Sequence, residues 1–391
     1  MPAMKKILFK STVLFIVFIC SETINAQSFA EKFAASEMHR FPKAYQLDNG
    51  KELFFGYGQG VGCCAMLNLW EATGDKRYFN YVKEWADTII DKNGSIYLYQ
   101  PEDYHLDFIE PGKVLFEVYK QTGNKKYKLA LDKLINQLKT QPRTKDGGFW
   151  HKGWYENQMW LDGIYMASPF MARYGAEFNQ PEWIDEAIRQ ILVCRKHTYD
   201  SKTGLYYHGW DESKSQRWAN KTTGCSPSFW GRGIGWYFMA IVDVLDYIPA
   251  EHPQRSELIS IIQDLADTLP RYQDKNGLWY QIIDQPERTG NYPEASVSSQ
   301  CMYAYAKAVN KKYINIKYKS IAIKAYEGIK NHLIRTGSDG ILSITNCCKV
   351  AGLGGVPYRD ESFEYYVGEK MKDNDAKATG PFIMGCIELG E

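Results

Sequence analysis

Apolar residues along this chain recur mostly at helical intervals, and two kinds of helix alternate. The stretches "EATGDKRYFNYVKEWADTII" (71–90) and "KQTGNKKYKLALDKLINQL" (120–138) share a Thr-Gly-Asp/Asn start and an aromatic at the same offset. Each then continues with apolar positions three and four apart and charge between them. That spacing predicts amphipathic helices with one covered face. Segments 158–174, 230–247 and 296–309 are more apolar all round, the pattern of an enclosed helix. Turn signals separate the helices: "DKNGSIYLY", "TKDGGFWHK", "DSKTGLYYHG", "DKNGLWYQI" and "GSDGILSI". Their glycines, Gly94, Gly147, Gly204, Gly277 and Gly340, lie 53, 57, 73 and 63 residues apart, the span of a helix hairpin plus its loops.

A first helix near Phe29 to Met38 and a last near Pro381 to Leu389 complete the set. The pattern therefore predicts an all-α protein of about six hairpins closed into an (α/α)6 barrel, with apolar helices inside and amphipathic ones outside. The alternative is an open solenoid of the same hairpins, which needs polar repeats at its ends. The C-terminal "GPFIMGCIEL" is too apolar for such a cap.

Composition narrows the function. The chain has 391 residues, 45% of them hydrophobic, and a net charge of +1 with both signs scattered. No basic stripe suits a nucleic acid and no polybasic end suits a membrane surface. The excess is aromatic, with 28 Tyr, 18 Phe and 11 Trp, and aromatic faces stack on sugar rings as well as filling cores. The start, "MPAMKKILFKSTVLFIVFICSETINAQS", has lysines, an apolar run from Val13 to Cys20 and a cleavage point after Ala26. Residues 1–26 thus read as a secretory signal peptide, leaving residues 27–391 as one exported, periplasmic domain. Cys20 lacks the preceding small residue of a lipoprotein, and no later stretch approaches the roughly 20 apolar residues of a membrane span. The other eight cysteines show no metal-ligand spacing with histidine. Two adjacent pairs among them look like small buried hydrophobes rather than a disulfide framework. No metal or organic cofactor is expected.

In a toroid of this kind, the N-terminal ends of the inner helices converge on one mouth. Candidate chemistry falls there: "YHLDFIEPGK" (104–113), "GGFWHKGWYENQMWLDG" (147–163), "YYHGWD" (206–211) and "FWGRGIGW" (229–236). The sharpest signal is Asp162, an ionisable residue in an apolar helical run, where partial desolvation would favour a proton donor. A helix N-cap is the alternative reading of that residue.

Four stretches carry a likeness: "GGFWHKGWYENQMWLDGIYMASPF", "SPSFWGRGIGWY", "NYPEASVSS" and "VAGLGGVPYRDESFEYY". Together they resemble the unsaturated rhamnogalacturonyl hydrolases of glycoside hydrolase family 105, over nearly the whole chain beyond the leader. The resemblance implies a six-hairpin α/α barrel and a lyase-generated oligosaccharide substrate ending in a 4-deoxy uronate with a C4=C5 double bond. It also implies hydration of that enol ether by one carboxyl acting first as acid and then as base, unlike the paired-carboxylate scheme of ordinary glycosidases.

The likeness makes Asp162 that acid/base. It makes Asp107 a second essential aspartate bonded to the sugar and to the first carboxyl, and such a like charge would raise the proton affinity of Asp162 further. By the same likeness His151 and His208 line the sugar pocket, Trp160, Trp230 and Trp236 form its walls, Arg232 pairs with the substrate carboxylate, and Tyr57 is a further pocket residue. Each has a plain structural alternative: a cap or turn for Asp107, core packing for the tryptophans, a salt bridge for Arg232.

Three rival readings remain at this level. An unsaturated glucuronyl hydrolase would share the fold and chemistry but act on other glycans. An inverting glycosidase would need Glu156 or Asp211 to act with Asp162. A non-catalytic helical array would bind glycans without turnover.

Overall fold

A computed structural model describes residues 27–48 and 52–391, so the leader expected over residues 1–26 lies outside the described residues. Thirteen α-helices follow in chain order among the described residues. They are α1 (Phe29–Arg40), α2 (Tyr57–Thr73), α3 (Lys76–Ile89), α4 (Gly112–Thr122), α5 (Lys125–Thr140), α6 (Leu161–Glu177) and α7 (Glu182–Thr198). Then come α8 (Gly231–Val244), α9 (Arg255–Thr268), α10 (Ala295–Asn310), α11 (Lys319–His332), the short α12 (Phe363–Gly368) and α13 (Ala376–Leu389).

The repeated Thr-Gly-Asp/Asn motif is the hairpin turn itself. Thr73 and Thr122 are the last residues of α2 and α4, not the start of the next helix as its position suggested. Gly74 and Gly123 leave those helices in the left-handed conformation, with φ of 74° and 64°. Asp75 and Asn124 then cap α3 and α5, their side chains accepting from the amides of Arg77 and Lys126. One short motif thus ends an inner helix, turns the chain and starts an outer helix.

Helices α2, α4, α6, α8, α10 and α13 pack side by side in sequence, and α13 also packs on α2, so the inner ring closes. That contact excludes the open solenoid. Closure needs a close approach: a Cβ on Gly380 would stand 2.7 Å from Val61 Cγ1 and 3.0 Å from its carbonyl oxygen. Helices α3, α5, α7, α9 and α11 cover the ring, and α1 packs on α13 to form the sixth hairpin from the two chain ends. The apolar segments expected inside are α6, α8 and α10, and the five expected turn glycines all have positive φ, from 70° to 90°.

Among the described residues, strands are confined to three short antiparallel pairs in the loops. Gln158–Trp160 pairs with Gly209–Asp211, Ile334–Thr336 with Leu342–Ile344, and Cys347–Cys348 with Met371–Lys372. The cysteines expected to act as hydrophobes do so: all eight in the described residues are free, and seven are buried.

Candidate active site

The inner helices present their N-terminal ends to one mouth. Tyr57 opens α2, Asp107 lies in the 3-10 turn Leu106–Phe108 just before α4, and Asp162 and Arg232 are each the second residue of α6 and α8. Glu294 caps α10, and Lys377 is the second residue of α13. The positive ends of six helix dipoles therefore face the same space, which favours an anionic ligand.

Asp162 is not the helix cap: Trp160 holds that position, and it contributes no side-chain cap bond. Nor is Asp162 sunk into the apolar face of α6; its carboxyl stands at the open first turn, 14% exposed. Its Oδ2 lies 3.0 Å from Nε2 of His208. The strand pair sets this distance, because Trp160 is in register with Gly209 and the amide of Leu161 donates to the His208 carbonyl at 3.0 Å.

His208 is fully enclosed. Trp230 packs on its ring at 4.4 Å, and Trp160 meets it edge-on at 5.6 Å. Its Nδ1 lies 2.7 Å from the Tyr366 hydroxyl and 3.6 Å from Oε2 of Glu361, and the Tyr366 hydroxyl bonds to that same oxygen. Burial alone would drive the imidazole towards neutrality, but the carboxylates of Glu361 and Asp162 outweigh it and lift its pKa to about 9. His208 is a cation at neutral pH.

Asp107 gathers a separate set of partners. Lys152 Nζ lies 3.0 Å from it, His151 Nε2 3.4 Å and His105 Nδ1 3.8 Å. Burial pushes this carboxyl up, but Lys152, His105 and His151 together outweigh burial and hold it well below the usual range. Burial dominates for the two histidines, taking His151 down to about 3 and His105 to about 4, so both are neutral at physiological pH. No hydrogen bond joins Asp107 to Asp162 among the described residues. Each acid has its own bonded partners, and both lie within electrostatic reach of His151.

The remaining candidates divide. Tyr57 is half-buried, within electrostatic reach of Lys377, Arg232 and Asp107, with the Lys377 ammonium 5.5 Å from its ring centre. Arg232 is buried over the Trp230 ring at 4.7 Å and donates to the Cys348 carbonyl, while its Nε has no partner. No carboxylate stands at ion-pair distance from it among the described residues, so the structural salt bridge is not what holds it. Trp160 stacks on His151 at 4.5 Å and on Tyr155 at 4.6 Å. Trp236 is placed differently from its expected role: fully enclosed in the main apolar cluster, it stacks on Tyr165 as a core residue rather than a wall. His151 and His208 are likewise enclosed, and act through the carboxylates they touch.

Sequence reasoning missed Lys152, His105, Glu361 and Tyr366. Lys152 adjoins His151 in "WHKGW", and Glu361 and Tyr366 lie in the stretch "DESFEYY", whose residues carried no assignment. Glu361 also has φ of 64°, a costly conformation for a residue with a side chain, and Ser228 Oγ donates to its carbonyl at 2.9 Å.

A model of Glycosyl Hydrolase Family 88 matches residues 29–390. The chain belongs to that family. It is also 39% identical to a solved family 105 glycoside hydrolase of C. acetobutylicum ATCC 824, with 93% of this chain and 99% of that one covered and a TM-score of 0.89, as the motifs led us to expect. An unsaturated rhamnogalacturonyl hydrolase of Bacillus subtilis is 28% identical over 305 residues, 75% of this chain and 81% of that protein. An unsaturated glucuronyl hydrolase from Bacillus sp. GL1 shares the fold, with a TM-score of 0.64 at 14% identity, covering 92% of this chain and 94% of that one.

This family 88 chain is therefore a glycoside hydrolase, and its carboxylates can be sorted by what they already hold. Asp211 is fully buried and accepts from the amides of Ser213 and Gln216 and the Ser213 hydroxyl, which makes it a loop staple. Glu156 is exposed. Neither is placed to form an inverting pair with Asp162. No group of three or more His, Cys, Asp or Glu converges as a metal site among the described residues. Beside the site, a cleft of about 510 Å³ is lined by Trp154, Tyr155, Val356, Tyr358, Arg359 and Tyr365. A separate cavity of about 640 Å³, reached by residues such as Glu117, Arg173, Asp243 and Lys307, includes none of the candidates and has its cations ion-paired.

Proposed function

We propose that this family 88 glycoside hydrolase removes a 4,5-unsaturated galacturonic acid, linked to rhamnose, from the non-reducing end of lyase-generated oligosaccharides. The observation that carries the reading is the single Asp162–His208 contact of 3.0 Å at a mouth of converging helix N-termini. One carboxyl with one basic partner suits a reaction in which the same group gives and then takes a proton. An ordinary glycosidase needs two carboxyls flanking the bond; Asp211 is a loop staple, Glu156 is exposed, and Asp107 is held by the Lys152 ammonium.

Asp162 delivers a proton to C4 of the enol ether, and positive charge develops at C5 with help from the ring oxygen. The carboxylate left behind takes a proton from water as its oxygen adds to C5. The resulting hemiketal opens and the glycosidic bond breaks. Arg232, without a carboxylate partner of its own, is suited to the uronate charge, and the helix N-termini add to that attraction. The cleft beside Tyr155 receives the next sugar, with Trp154 exposed for stacking. The rhamnosyl preference is supported by the name of the Bacillus subtilis relative. The leader-like segment over residues 1–26 supports export, where such oligosaccharides are released.

The test is a panel of unsaturated disaccharides made with lyases, differing in uronate and in aglycone, followed by the ultraviolet absorbance of the enol. Absorbance should fall fastest with the galacturonyl-rhamnose member. Release of saturated sugars with no action on unsaturated ones would refute hydration, and faster loss with a glycosaminoglycan disaccharide would refute the aglycone.

A further inference from the structure

Glu361 is fully buried, belongs to no helix cap, holds a left-handed backbone conformation, and points into the site from behind His208. The direction of its hydrogen bonds determines a proton count. The Tyr366 hydroxyl donates to Oε2 of Glu361, so its oxygen is left to accept, and the group at 2.7 Å able to donate is Nδ1–H of His208. With Nδ1 protonated, the 3.0 Å contact between Nε2 and Oδ2 of Asp162 is a hydrogen bond only if one proton lies in it, on either atom. The site therefore stores one acid proton between His208 and Asp162.

We infer that Glu361, acting through Tyr366, is a positioning residue that fixes the tautomer of His208 and keeps the imidazole charged, so that His208 resupplies Asp162 during turnover. This rests on the enol-ether reading above. The steps balance: Nε2–H passes its proton to Asp162 as Asp162 gives one to C4, leaving a neutral imidazole and a carboxylate. Water then adds its oxygen to C5 and its proton to Asp162, which returns a proton to Nε2. Imidazolium and carboxylate are restored.

The titratable groups that face His208 are Asp162 from α6 and Glu361 and Tyr366 from the segment around α12; Trp160 and Trp230 enclose the ring without titrating. The imidazole pKa of about 9 agrees with that surrounding. The alkaline limb of kcat/KM in wild type should then report loss of the shared proton near that pH.

The experiment has two arms. In histidine-15N-labelled protein, His208, assigned by loss of its signal in His208→Gln, should carry protons on both ring nitrogens at pH 7. In Glu361→Gln, which keeps the shape and removes the charge, the alkaline limb should move at least one pH unit to the acid side, with activity reduced about twofold at pH 8 and approaching about tenfold by pH 10 and KM little changed. A neutral Nε2–H tautomer in wild type overturns the inference, even if Glu361→Gln cannot be folded. So does a Glu361→Gln profile that overlays wild type, including one with a lower Tm and an unmoved limb, which would mark a merely structural residue. The spectrum needs no substrate, so failure of the enol-ether reading would appear as absent turnover in the disaccharide panel, independently of where the proton sits.

Discussion

Asp162 and Arg232 divide the work at the residue scale, and each division has a measurable consequence. Asp162→Asn keeps the volume and can still bond to His208, but the amide cannot donate and then accept a proton. Turnover should fall by roughly 10²- to 10⁴-fold or more, because general acid–base groups contribute about that much and this one is used twice. Initial rates by enol absorbance, with circular dichroism to confirm the fold, decide it; a variant retaining a tenth or more of the rate would remove Asp162 from the role. Arg232→Ala should lose binding of the uronate, a charge-assisted contact of roughly 1.5 to 3 kcal/mol. Its signature is selective: wild type should lose activity on the methyl ester of the substrate, and the variant should be indifferent to esterification. Equal losses in both would mean that Arg232 serves Cys348 and the loop, not the substrate. Asp162 was legible because a charge in an apolar helix is rare. Lys152 and Glu361 were not, since a lysine after a histidine and a glutamate in a polar loop look like ordinary surface until the fold brings them in.

At the scale of the element, the hairpin turns explain why the architecture could be read so far ahead of the contacts. Gly94, Gly147, Gly204, Gly277 and Gly340 mark positions where the backbone takes positive φ, and that requirement is local, so it leaves its trace in the sequence. Trp236 is the converse case. Its helix and burial follow from local pattern, but whether an inner-helix tryptophan faces the mouth or packs on Tyr165 depends on helix rotation within the ring, which periodicity does not specify. Gly277 tests the local argument. Its φ is 90°, and an added Cβ would stand 2.2 Å from the Lys324 carbonyl oxygen. Gly277→Ala should cost roughly 1 to 3 kcal/mol of stability with kcat unchanged. Gly123→Ala, at φ of 64° with open space around the added carbon, should cost less, about 1 kcal/mol. Equal drops in Tm would show that left-handed strain alone matters and the approach to Lys324 does not.

For the whole molecule, the decisive feature is closure, and closure depends on contacts between residues some three hundred apart. Glu37 of α1 sits at that seam: it bridges to Arg40, which donates to the Leu342 carbonyl at 2.6 Å and the Ser343 hydroxyl at 2.9 Å, and Thr379 of α13 lies beside it. The alternation of helix types foretold a ring, but a glutamate in α1 gives no sign in sequence that it will be buried against the far end of the chain. Burial pushes the Glu37 carboxyl from 4.5 up to about 7, against the pull of Arg40. The folded protein thus holds this proton up to about pH 7, whereas the unfolded chain releases it near 4.5. Its contribution to stability is full below pH 4.5 and is lost as pH rises to 7, a swing of about 3 kcal/mol at 1.36 kcal/mol per pKa unit. Glu37→Gln has no proton to lose, so its stability relative to wild type should improve by about that amount between pH 4 and pH 8, whatever the offset from the altered Arg40 contact. Denaturant unfolding of both proteins at the two pH values measures the difference. A relative stability that stays constant, or moves the other way, would mean that Glu37 is ionised in the closed ring and that Arg40, rather than burial, governs the seam.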